Sequence, residues 1–110
     1  MTKQGVDRQR LKEIIIEELD GLTGFDFESF KDGNPSLAKI IGRGFFKPGV
    51  KMSMAGWFCL FLGGDIKLEF GIEVDIQEVD MEDKVRGKEI VTLDDLVDYI
   101  YEVVTAEPSV

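Results

Sequence analysis

The chain has 110 residues, 44% of them hydrophobic, and a formal charge of −9. It therefore reads as one domain spanning 1–110, large enough to bury a core without metals or disulfides. The acidic balance argues against a duplex nucleic-acid binder, which must neutralise phosphates with Lys and Arg, and favours basic partners. No histidine is present, which removes the commonest general base and the commonest metal ligand, and the lone Cys59 cannot form an internal disulfide.

In chain order, DRQRLKEIIIEELDG comes first. Leu11, Ile14, Ile15 and Leu19 recur at helical spacing opposite a charged face, which predicts a helix from about Asp7 to Asp20. Gly21 reads as the residue just past its end. Residues 21 to 51 are rich in Gly and Phe and predict long loops. Within them SLAKII fits one or two helical turns, with Pro35 at the first helical position and Asn34 as the cap. Phe45 and Phe46 read as a covered loop anchor and KPGVK as a turn. Lys39, Arg43, Lys47 and Lys51 recur every four residues, but the intervening Gly and Pro make a solvated loop the simpler reading than a basic patch.

The middle, WFCLFLGGDIKLEFGIEV, supports two periods. Ile66, Leu68, Phe70, Ile72 and Val74 alternate with polar residues or Gly, as in a strand, and Gly63 and Gly64 suit a hairpin turn. Leu62, Ile66, Phe70 and Val74 fall four apart, as on a helix. Two glycines inside a helix cost about 2 kcal/mol relative to alanine. Residues 73 to 83 carry six carboxylates and no base, and read as an acidic loop or a partner-docking surface rather than a metal site. The last element, VTLDDLVDYIYEVV, begins with the capping signature of Thr92 and Asp95, and Leu93, Leu96, Val97, Ile100, Val103 and Val104 form its buried stripe. The tail AEPSV leaves the helix.

Three of these pieces resemble acyl and peptidyl carrier proteins: LKEIIIEEL, LEFGIEV and IVTLDDLVDYIYEV, in the family's order and together about a third of the chain. The resemblance implies a mainly α fold, a small carrier-protein-like helical bundle with a helix through residues 57 to 70. The alternative is an α+β domain with a 57–78 β-hairpin flanked by two helices. It also implies 4′-phosphopantetheine on a serine at the start of the second helix, partner enzymes of lipid or secondary-metabolite biosynthesis, and an acyl cargo. The chain departs from the family in lacking any Asp-Ser pair. Counted back without gaps from LEFGIEV, the serine position falls on Gly56; Ser53 stands one turn earlier, three residues away, and is the nearest serine. LGGDI resembles the peptidyl-carrier motif but has Ile66 at the serine.

Ser53 is thus the candidate for the prosthetic group, or else an ordinary polar residue or helix cap. Cys59 reads as a small buried residue, and Trp57, Phe58, Phe61 and Phe70 as core or as the lining of an acyl cavity. No nucleophile–base constellation is evident, so independent catalysis is not expected. The leading expectation is a carrier domain presenting a tethered acyl or aminoacyl group, with Ser53 as the candidate attachment site. The alternative is a carrier-like scaffold without the arm, acting as a non-catalytic protein-interaction module. No run reaches the roughly 20 apolar residues of a membrane span, and no signal peptide is evident, so the expected setting is cytoplasmic.

Overall fold

A computed structural model describes residues 5–30, 34–42, 44–47 and 53–106. Among them the chain is mainly helical. The order is α1 (Arg8–Thr23), a 3₁₀ turn (Phe27–Phe30), α2 (Leu37–Ile41), α3 (Met54–Phe70), α4 (Glu78–Arg86) and α5 (Leu93–Thr105). Of the basic series, Arg43 and Lys51 lie outside the described residues, as do the KPGVK turn beyond Lys47 and the tail beyond Ala106.

α1 starts where the sequence says, with the Asp7 side chain accepting the Gln9 N–H at 3.0 Å. It runs past Gly21, however. Leu22 continues the stripe of Leu11, Ile15 and Leu19 and packs against the core, so one more turn buries more apolar surface than it costs. Gly24, at φ +70°, ends the helix, its N–H donating to the Asp20 carbonyl at 2.8 Å.

The middle is a helix, not a hairpin. Among the described residues there is no β-strand, only an isolated bridge between Ser36 and Thr92. The helical period wins because it buries Ala55, Phe58, Cys59, Leu62 and Ile66 on one face, with Phe58, Leu62 and Ile66 wholly excluded from solvent. The strand period would have sent Leu68 inward with Ile66; instead Leu68 is 88% exposed. Gly71, at φ +70°, closes the helix, with its N–H on the Lys67 carbonyl at 2.9 Å.

Gly63 and Gly64, inside α3, are not forced by crowding. A Cβ on Gly63 would meet the Val74 carbonyl oxygen at 3.5 Å, an ordinary contact, and one on Gly64 would meet nothing within 4 Å. Gly64→Ala is therefore expected to stabilise the fold by about 1 kcal/mol. A higher urea midpoint with an unchanged slope would bear this out; a lower midpoint would mean that the bare backbone at residue 64 is needed for folding.

The acidic stretch is only partly a loop. Residues 72–77 connect α3 to α4, but Glu78 and Asp80 sit in the first turn of α4, where negative charge meets the positive helix end. Lys84 and Arg86 occupy its last turn. α5 carries the expected capping box: Thr92 Oγ1 accepts the Asp95 N–H, and the Asp95 carboxylate accepts the Thr92 N–H. Donation to its carboxylate from the Val91 N–H first, and then from the Thr92 N–H, holds the Asp95 carboxyl below its usual range. Tyr99 joins the buried face of α5, its hydroxyl donating to Asp80 at 2.6 Å and so tying α5 to α4.

Asn34 is not the cap of α2. Its Oδ1 accepts the Asp94 N–H at 2.8 Å, at the start of α5, and Ser36 takes the N-cap place of α2 without a side-chain bond. The reason is the bridge. Leu37 N–H donates to the Val91 carbonyl and Leu93 N–H to the Pro35 carbonyl, which holds 35–37 extended beside 91–93. α1 packs against α2, α3 and α5, and α4 against α3, over one apolar cluster.

Candidate functional site

The site is the start and outer surface of α3. Phe45 fixes the start. It is buried, its ring lies 6.0 Å from that of Phe58, and its carbonyl accepts the Ala55 N–H at 2.9 Å. Ser53 is the N-cap of α3. Its Oγ accepts the Gly56 N–H at 3.0 Å and donates its proton to Glu78 at the start of α4. Ser53 is 5% exposed. The two helix starts are thus joined through one hydroxyl, and the Glu78 carboxylate lies near the positive end of α3.

This packing does not fit an attached phosphopantetheine. A phosphodiester at Oγ would remove the proton that Glu78 receives and set a second negative charge against that carboxylate. Gly56, the other candidate position, lies in the first turn of α3 and has no side-chain atom to modify.

The outer face is apolar. Trp57 is 36% exposed, Leu60 56% and Phe61 45%, and together with Leu68 they recur along the side of α3 turned from the core. The Trp57 and Phe61 rings stack with centroids 5.4 Å apart. The expectation of core or cavity-lining roles holds for Phe58 but not for Trp57 or Phe61, which the α3 register turns outward. Beside this face runs an open groove of about 600 Å³ between α3 and residues 73–78. Its α3 wall is Gly56, Cys59, Leu60, Gly63 and Gly64; its far wall includes Glu73, Asp75 and Glu78. Lys67, within it, is paired with Glu73 at 3.1 Å. The Cys59 thiol on its floor is pushed up to about 12, first by burial and then by Glu78 and Asp75, so it stays protonated and unreactive at neutral pH.

Comparison with family models, with curated proteins and with solved structures finds no match. The reading of the site therefore rests on its own chemistry. Among the described residues no group of three or more His, Cys, Asp or Glu side chains is placed to hold a metal ion, and no helix is long and apolar enough to cross a membrane.

On the other edge of the apolar face, Leu68 adjoins a second small depression where α1 meets α3, shared by Arg10, Glu17, Glu18, Asp65 and Glu69. Arg10 bonds Glu69 at 3.0 Å and Glu13 at 3.2 Å. The half-buried Glu18 carboxyl is pushed up to about 7, first by burial, then by its hydrogen bond to Asp65 and by the charges of Asp65 and Glu17. A carboxyl whose folded value lies above its unfolded one favours folding fully below the unfolded value. That contribution is lost as pH rises through the folded value, here between about 4.5 and about 7. Glu18→Gln should accordingly be more stable than the parent at pH 8, with the difference shrinking towards pH 5. Urea midpoints at the two pH values test this, and an equal difference at both would refute it.

Sequence reasoning missed the outer face as a unit. The signal was there: a helix over 57–70 has apolar residues all round, and such a helix is either wholly buried or meets a partner on its second face.

Proposed function

We propose that the chain is a non-catalytic protein-interaction module on a small helical bundle, without a prosthetic arm. The observation that carries this reading is the outer face of α3, where Trp57, Leu60 and Phe61, with Leu68 further along the same side, are exposed on an acidic molecule. The buried, doubly bonded hydroxyl of Ser53 supports it from the other side, since a carrier needs that group free. One feature supports the carrier reading instead: Ser53 stands at the start of the long helix, where the resemblance to carrier proteins calls for a serine.

A single experiment separates the two. The protein is incubated with coenzyme A and a broad-specificity phosphopantetheinyl transferase, and its intact mass is measured. No gain is expected. A gain of one arm that disappears in Ser53→Ala would overturn the module and establish a carrier of acyl or aminoacyl groups.

A further inference from the structure

We infer that the outer face of α3 takes an amphipathic helix of a partner protein, with Lys and Arg flanking its apolar stripe. This rests on the interaction-module reading and names the partner's chemistry. The exposed apolar residues of this face run along α3 from Trp57 to Leu68, or about 17 Å. Its centre is apolar, through Leu60, Trp57 and Phe61. On the groove side Gly64, where an added Cβ would meet nothing within 4 Å, leaves the helix backbone open to a large side chain of an incoming helix.

Charge selects the occupant. Carboxylates border both edges: Glu73, Asp75 and Glu78 beyond the groove, Asp65, Glu69 and Glu17 beyond Leu68. Among the described residues lining the groove and the depression, the two bases are already engaged, Lys67 with Glu73 and Arg10 with Glu69, Glu13 and Glu17. A second copy of the chain, itself at −9, would bring like-charged rims together, and an anionic membrane surface would be repelled in the same way. A basic amphipathic helix meets the apolar centre and both rims at once.

The test uses the full chain and three synthetic peptides of the length of α3, titrated by calorimetry. The first has a Leu stripe flanked by Lys; the second replaces Leu with Ser; the third replaces Lys with Glu. Only the first should bind in a saturable, one-to-one manner, and the others should bind at least about tenfold more weakly. Leu60→Ser with Leu68→Ser, both exposed positions that leave the core intact, should weaken the first peptide by about tenfold. Equal binding of the Ser peptide would show mere attraction of a polycation to an acidic protein, and would overturn the inference. Equal binding of the Glu peptide would remove the basic partner. Sedimentation should find a monomer; a dimer abolished by the Leu substitutions would assign the face to a second copy. None of these failures produces a coenzyme A-dependent mass gain, so they are distinguishable from failure of the module reading itself.

Discussion

Phe58→Ala is expected to cost about 3–5 kcal/mol. Domains of this size are stable by roughly 5–15 kcal/mol, so the variant should sit near its unfolding threshold at room temperature. Phe58 is wholly buried, and its ring packs 6.0 Å from that of Phe45, the residue whose carbonyl receives the first turn of α3. Removing it opens a cavity and loosens the loop that positions α3. Phe61, three residues on, has the same side chain but is 45% exposed. Phe61→Ala should change stability by less than about 1 kcal/mol. Urea titrations followed by far-ultraviolet circular dichroism measure both. Equal losses would mean that the outward and inward faces of α3 have been assigned the wrong way round.

Ser53→Ala should cost about 2 kcal/mol, combining the loss of a helix cap with a half-buried carboxylate left without its donor. For a chain of this length that is a fall in Tm of roughly 8 °C. The structural role predicts coupling. Glu78→Ala should also destabilise, but the double variant should lose less than the sum, because Ser53 and Glu78 share one hydrogen bond. Strict additivity would show that the bond contributes nothing. A freely exposed attachment serine would give a near-silent Ser53→Ala, so the stability measurement and the transferase assay bear on the same residue independently.

Both expectations turn on α3, where the helix implied by the resemblance to carrier proteins forms and the hairpin alternative does not. Its buried residues were open to either period, since Ile66 serves a strand and a helix equally well. Its glycines pointed to a hairpin. The helix forms because its packing against α1 and the rest of the core buries Phe58, Leu62 and Ile66 together, a gain that local propensity does not contain. The same tertiary choice turned Trp57 and Phe61 outward and so created the candidate site. The acidic stretch shows a related limit. Glu78 looked like one of several solvated charges, and only the approach of α4 to α3 made it the partner of Ser53.

The ends of the chain were another matter. The α1 stripe and its Asp7 cap, the Thr92–Asp95 capping box, and the buried stripe of α5 are local patterns, in which residues three and four apart or adjoining the helix end supply their own partners. The sequence by itself determined those two helices, the acidic character and the absence of histidine chemistry. The tertiary structure decided between the two periods of residues 57–70 in favour of the helix, and it alone decided that Asn34 bonds the start of α5, that Ser53 is engaged by Glu78, and that α3 has an apolar face left over. Each of those depends on a contact between residues distant in the chain.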